Sequence, residues 1–272
     1  MDVFIVASRE LRIGFRNPWA YSFMALFTIF SLALLLINAQ NVVEGYSSVT
    51  STMLNLVLYL VPLMTLLLGS FSLTSEKEEG SWQLLSAYPL GTLQFILGKY
   101  VGLIAVLWTI MAVGYGITGL IGAIAGSGFE LQTFVLFAAF SGGLVLLFLA
   151  VALGIGTVAR NRWQALTISV AIWFFAIIGW PAILVAILGF VPYLWIKPAL
   201  TGLTFLNPAE LVRLFVIVKL GGGSALGPEY YEWVQWIRRP SGGWLFAGVC
   251  LAWVAAAITA ARFVWERGRS RG

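Results

Sequence analysis

Residues 72–91 read SLTSEKEEGSWQLLSAYPLG and lie between two of the most apolar stretches of the chain. Here Glu76, Lys77, Glu78 and Glu79 stand side by side, in a protein of 272 residues of which only 10% are charged. Around this block the chain is 60% hydrophobic and 15% aromatic, with a mean hydropathy of +0.94. An ordinary soluble domain is roughly 45–50% apolar. About 20 uncharged residues suffice to cross a hydrocarbon core of about 30 Å as helix. Six such runs fall near 19–37, 53–73, 97–121, 133–158, 166–190 and 244–264. The sequence therefore predicts an all-α integral membrane protein with six transmembrane helices. Lys99, at the edge of the third run, is expected to snorkel.

The basic residues set the expected orientation. Arg9, Arg12 and Arg16 precede the first run, and no small-residue cleavage site follows it, which marks a retained span rather than a secretory signal. Eleven of the 16 Lys and Arg residues lie before span one, between spans two and three, between four and five, or after six. The rest, Lys197, Arg213, Lys219, Arg238 and Arg239, share the loop 191–243. The positive-inside rule then places both termini in the cytoplasm. The expected layout is an interfacial helix over 1–18, a six-span domain over 19–264 and a basic tail over 265–272. A seventh span created by Pro181 would put the C-terminal arginines outside, so a kink or a re-entrant turn is expected after Pro181 instead. The net charge of +5 is a topology signal and does not point to nucleic acid.

Several functions are disfavoured. The chain has no histidine and its acids fall outside the six runs, whereas ion-coupled carriers place ionisable groups within their spans. No H-E-x-x-H ligand set exists, and no serine has a histidine to activate it. The single cysteine, Cys250, excludes a disulfide within the chain and a cysteine metal site. There is no G-x-x-x-x-G-K-[ST] loop, so the chain is not read as an enzyme, and any nucleotide hydrolysis must come from another polypeptide.

Within 75–91, Ser75 and Glu78 fit a capping box, and Glu76, Glu78 and Glu79 would lie in a first turn favoured by the helix dipole. A short helix is expected to start there, with Gly80 weakening it by about 1 kcal/mol relative to Ala. Trp82, Leu84, Leu85 and Tyr88 then cluster at near-helical spacing until Pro89 ends the run. Such a segment suits a groove on a soluble partner. The alternative is a helix that merely lies on lipid headgroups.

The order Glu76-Lys77-Glu78-Glu79-Gly80, Trp82-Gln83-Leu84-Leu85, Tyr88-Pro89-Leu90 and Leu97-Gly98-Lys99 resembles the E-x-E-x-G-T-L-x-L-L-L-x-x-P-x-x-x-x-x-x-x-G-K pattern of ABC type-2 transporter permeases. Ser81 and Trp82 stand where Thr-Leu is commoner. The resemblance implies that 75–91 includes a coupling helix docking into a separate ATPase subunit, with two permeases pairing with two ATPases. ATP and magnesium would be held by that partner, with no cofactor in this chain. Phe4, Leu11 and Phe15 share one helical face and Arg9, Arg12 and Arg16 another, similar to the elbow helix of these permeases. Arg160 and Arg162 resemble the family's second cytoplasmic turn; a plain positive-inside anchor explains them as well.

Within the family, the chain resembles the NosY-like group, associated with maturation of the copper enzyme nitrous-oxide reductase. Leu54 to Leu63, running into Leu66-Leu67-Leu68-Gly69, carries part of the likeness, and Asn207-Pro208-Ala209-Glu210 with Arg213 carries the rest. Physically, Asn207 caps a helix, Pro208 suits its first position and Glu210 answers the cap at the third. That helix is expected to end near Leu220, at Gly221-Gly222-Gly223, with Glu210 and Arg213 pairing at the surface. The resemblance implies contact with an outer NosD-like protein through Asn207, Pro208, Glu210 and Arg213; a lid helix over the outer mouth is the structural alternative. Trp195, Trp233, Trp236 and Trp244 are expected to mark the outer face's membrane–water interface, the alternative being a ligand cage. Glycines in spans three and four permit close helix approach.

The leading expectation is a homodimeric permease subunit in a prokaryotic cytoplasmic membrane, bound to two NosF-like ATPases. The rivals are an ABC permease exporting a lipid, drug or peptide, and a membrane scaffold without transport.

Overall fold

The computed structural model describes residues 2–39, 48–80, 91–125 and 131–269. Trp82, Leu84, Leu85, Tyr88 and Pro89 of the expected coupling segment lie outside the described residues. The chain forms α1 (Asp2–Gly14), α2 (Pro18–Ala39), α3 (Ser48–Glu78), α4 (Thr92–Ala125) and α5 (Leu131–Val158). Then come α6 (Arg162–Trp173), a π-helical turn (Phe174–Gly179), α7 (Trp180–Phe190), α8 (Tyr193–Leu206) and α9 (Pro208–Lys219). Two 3-10 turns lead to α10 (Tyr231–Arg238) and α11 (Gly242–Arg269). No strand occurs among the described residues. Five helices, namely α3, α4, α5, the continuous α6–α7 and α11, are long and apolar enough to cross a membrane. α2 covers the first predicted run as a shorter apolar helix over Pro18–Ala33, and the sixth candidate span among the described residues is the bent pair α8–α9.

The centre of the bundle is α3 against α5. Their axes approach closely because glycine faces side chain at two points. A Cβ on Gly69 would stand 2.6 Å from the Ala152 Cβ, and one on Gly156 would stand 2.7 Å from the Leu73 Cβ. Helices in lipid gain most of their association from such close packing. The most apolar window of α3 is 72% buried, against 17% for α6–α7 and 11% for α11, so the open flanks of this protomer are the last spans.

α1 lies along α4 by the same device. A Cβ on Gly98 would meet Val6 at 2.5 Å, and one on Gly102 would meet the Ala7 carbonyl at 2.7 Å. The buried stripe of α1 is Val6, Ala7, Glu10 and Gly14, while Phe4 is 80% exposed. Of the expected Phe4–Leu11–Phe15 face, Leu11 and Phe15 pack partly buried against the core while Phe4 does not, because the two glycines on α4 draw Val6, Ala7 and Glu10 closest.

Pro181 produces neither break nor re-entrant turn; the helix runs from Arg162 to Phe190 as one 29-residue unit. The π-helical turn just before the proline widens the helix and absorbs the missing N–H. In a π turn the carbonyl of Ala176 looks to residue 181 for a donor, and proline has none. Asn207 supplies it, its Nδ2 donating to the Ala176 oxygen at 2.6 Å.

The sharp bend lies instead at Asn207, where α8 and α9 meet at 108°. Asn207 is the N-cap of α9, its side chain accepting from the Ala209 N–H at 2.9 Å, and Gly221 follows the helix with φ +86. Cap, first-turn proline and terminal glycine sit as the sequence predicts. The hairpin tip reaches the middle of neighbouring spans: Asn207 touches Ala176, and Trp253 of α11 donates to the Phe205 carbonyl at 2.8 Å.

Candidate functional site: the charged end of α3

The acidic block does not begin a helix. α3 runs through Ser75 and ends at Glu78, and Gly80 takes a left-handed φ of +68. Side chains of consecutive helical residues point about 100° apart. Four charged residues in a row at this end therefore reach different neighbours around the axis.

Glu76 turns inward. Its Oε1 receives Arg9 Nη1 of α1 at 2.9 Å and stands 3.2 Å from Lys99 Nζ of α4. Lys99 does not snorkel. Its side chain is 1% exposed, and it donates to Glu10 Oε2 at 2.8 Å and to Ser72 Oγ at 2.7 Å. The Ser72 hydroxyl in turn donates to Glu10 Oε1. An ammonium has three protons to give, and Glu10, Ser72 and Glu76 offer it three acceptors. Two carboxylates and two cations make the cluster neutral, which is the condition for burying charge at tolerable cost. Glu10 was not among the residues singled out from the sequence. Its signal was its place on the Val6–Ala7–Gly14 stripe, where an acid has to find a partner.

Lys77 turns to α5. Its Nζ donates to the carbonyls of Gly156, Thr157 and Ala159, each at 2.8 Å. These belong to the group of carbonyls that a helix end leaves without internal partners, and the cation also sits at the negative end of the dipole. The indole of Trp265 on α11 lies 5.3 Å below the same ammonium.

Glu78 and Glu79 turn to α6. Glu78 Oε1 accepts from the Arg162 backbone N–H at 2.8 Å, its Oε2 lies 3.0 Å from Arg162 Nε, and Glu79 Oε1 lies 3.2 Å from Nη2. Asn161 caps this helix by accepting from the Gln164 N–H, and Gln164 Oε1 accepts from the Arg160 N–H. Arg160 thus enters through its backbone, and Arg162 through both its backbone N–H and its side chain.

One turn of α3 therefore binds α1, α4, α5 and α6. Arg16, Asn17, Ser75, Glu79 and Arg162 border a cleft of about 340 Å³ beside it, with Ile13, Trp19 and Phe71 as its apolar lining. Of the residues expected from the sequence, Arg9 meets Glu76, and Arg16, Glu79 and Arg162 meet around this cleft. Arg12 is exposed.

Away from this hub, at the bend that reaches the middle of the neighbouring spans, Asn207, Pro208 and Glu210 are buried. Arg213 Nε and Nη2 engage both Glu210 oxygens at 3.0 and 2.7 Å. The pair is interior rather than superficial, because the re-entrant bend draws the start of α9 into the bundle. Glu210 consequently serves Arg213 and does not answer the cap. Of the four residues, Arg213 alone keeps partial exposure.

A bundle of apolar helices with dense charge gathered at the end of one long helix fits a membrane permease subunit. The chain belongs to the ABC-2 family of transporter proteins, whose model matches residues 4–267. It is similar to the probable ABC transporter permease protein NosY of Stutzerimonas stutzeri, 30% identical over 235 residues, covering 83% of this chain and 85% of the relative. The protein of the same name from Pseudomonas aeruginosa is 31% identical over 235 residues, with the same coverage of 83% and 85%. Permeases of this family leave ATP hydrolysis to another subunit.

Proposed function

We propose that this permease subunit forms a homodimer in a prokaryotic cytoplasmic membrane and couples two NosF-like ATPases to work at the outer face. The observation that carries the reading is the ion-pair hub at the end of α3. Glu76, Lys77, Glu78 and Glu79 fix the point from which residues 81–90 depart, and Gly91 returns the chain to α4, which holds Lys99 of the same cluster. A segment anchored on both sides to one cluster passes a push into four helices at once. Gly80, Trp82, Leu84, Leu85, Tyr88 and Pro89 would contact the ATPase, with Glu79 and the cleft beside Arg16 extending the surface.

The role in copper-site maturation of nitrous-oxide reductase rests on the likeness to proteins named NosY. Among the described residues no three of His, Cys, Asp and Glu gather as a metal-binding group. The reading accordingly assigns copper handling to partners, including a NosD-like outer protein. With Asn207, Pro208 and Glu210 buried, such a protein would meet Arg213 and the exposed outer turns. The unpartnered flanks of α6–α7 and α11 supply apolar area for a second copy.

The test is purification of the chain from its native membrane under gentle extraction, with mass spectrometry of the eluate. An ATPase in equal amount and a secreted outer protein support the full reading. An ATPase alone favours an exporter of lipid, drug or peptide, and the absence of any ATPase favours a scaffold.

A further inference from the structure

A second cavity, of about 270 Å³, opens between α8 and α10 and is lined by Thr201, Phe205, Glu232, Trp233 and Trp236. Lys197, Thr201 and Phe205 recur every four residues and so share one face of α8; Glu232 and Trp236 share a face of α10. The floor is a corner of rings. Phe205 and Trp233 have centroids 5.0 Å apart, and Trp233 meets Trp236 edge to face at 5.2 Å and 88°. The rim carries charge of both signs, with Lys197 Nζ standing 3.6 Å from Glu232 Oε1 and the two side chains 61% and 77% exposed.

This cavity lies at the end of the bundle away from the α3 hub. Trp265, near the end of α11, stacks on Phe95 at the start of α4 with centroids 6.0 Å apart, which places the start of α11, beside α10, at the opposite end. Around it Leu194, Trp195, Leu206 and Trp244 are exposed by 86, 66, 63 and 82%. Exposed Trp and Leu at the end of a membrane bundle mark the boundary between headgroups and acyl chains. That setting is the one in which a lipid headgroup would reach the cavity mouth.

We propose that this cavity binds the headgroup of a zwitterionic phospholipid, with the ammonium over the Trp236 and Trp233 rings beside Glu232 and the phosphate on Lys197. Aromatic faces attract cations, most strongly when partly removed from water. A carboxylate next to an ammonium presents the mirror image of a phosphate next to an ammonium. The exposed Lys197–Glu232 pair costs little to open, since such contacts contribute about 0–1 kcal/mol. The exposed Leu194 and Leu206 on the same helix give the acyl chains a surface to follow. The proposal is independent of the ATPase reading.

The test is native mass spectrometry of the full chain released from nanodiscs of equal phosphatidylethanolamine and phosphatidylglycerol. Wild type should retain the ethanolamine lipid over the glycerol lipid by about fivefold, the scale of one cation–π contact with a neighbouring carboxylate. Glu232→Gln and Trp236→Leu should each reduce this preference towards the supplied ratio, and Lys197→Met should weaken retention of both lipids. Glu232 and Lys197 are exposed, so their variants keep the fold, which gel filtration checks. Retention in the supplied ratio by wild type, or an unchanged preference in Glu232→Gln, overturns the proposal. So does displacement by soluble phosphoethanolamine as effective as by the lipid, because the acyl chains would then play no part.

Discussion

The Lys99 ammonium and the Glu10 carboxylate, 89 residues apart in sequence, meet at 2.8 Å with side chains only 1% and 3% exposed. This contact fastens α1 to α4, and Glu76 at 3.2 Å from the same ammonium brings in α3. Removing one member of a buried pair leaves an uncompensated charge and costs about 3–5 kcal/mol, whereas exchanging the whole set for apolar or neutral groups is far milder. Lys99→Met should therefore lower the melting temperature in detergent sharply. The combination Glu10→Gln/Lys99→Met, which keeps the Arg9–Glu76 pair and the neutrality of the cluster, should recover most of the loss. A double variant no better than the single one would show that the charges do not act as a set.

Lys77 closes the end of α5 with three hydrogen bonds of 2.8 Å. A partly buried cation at a helix C-terminus contributes up to about 2 kcal/mol. Lys77→Met keeps the stem against Trp265 and removes the cap. The expected result is a stability loss of about that size, with faster hydrogen exchange confined to the last turn of α5.

Asn207 holds the re-entrant bend through two different atoms. Its Oδ1 caps α9, and its Nδ2 serves the carbonyl that Pro181 leaves open. Asn207→Asp preserves the cap and loses the donor; Asn207→Ser keeps a shorter cap. Loss of an N-cap costs about 1 kcal/mol and an unmatched buried carbonyl about 1–3 kcal/mol. Thermal melts should rank Asp below wild type, and Leu, which loses both contacts, lowest. Equal stability of Asp and wild type would mean that the link to Ala176 contributes nothing.

Gly102 faces the Ala7 carbonyl so closely that an added Cβ would lie 2.7 Å from it. Backbone cannot move aside as a side-chain tip does. Gly102→Leu should separate α1 from α4 and weaken the Glu10–Lys99 contact with it. A cysteine pair engineered across that seam should cross-link in wild type and fail in the variant.

Hydropathy made five of the spans legible, from α3 to α6–α7 and α11, because twenty uncharged residues have few other uses. The start and end of α9 were legible because Asn, Pro and Gly act through their own backbone geometry. The helix expected to start at Ser75 did not form there, because α3 runs on to Glu78. The pattern Ser-x-x-Glu fits a first turn, but acids also finish a helix when cations are delivered to them, here by Arg9, Lys99 and Arg162 from distant parts of the chain. Pro181 pointed to a kink or a re-entrant turn, yet the helix runs through it from Arg162 to Phe190, and the sharp bend formed at Asn207, a residue read as a simple cap. In each case the local signal was real and a long-range partner decided its meaning.

The end of α3 as the joint between ATPase and bundle is tested most directly by charge reversal at its exposed rim. Glu79 is 65% exposed on its side chain and its pair with Arg162 is exposed too, so Glu79→Lys should barely alter folding. The measurement is the amount of ATPase co-purifying with the chain, and its hydrolysis rate, for wild type, Glu79→Lys and Glu79→Lys/Arg162→Glu. The account predicts an equimolar ATPase with wild type, loss of most of it with Glu79→Lys, and partial return with the swapped pair. Full retention and an unchanged rate in Glu79→Lys would contradict it.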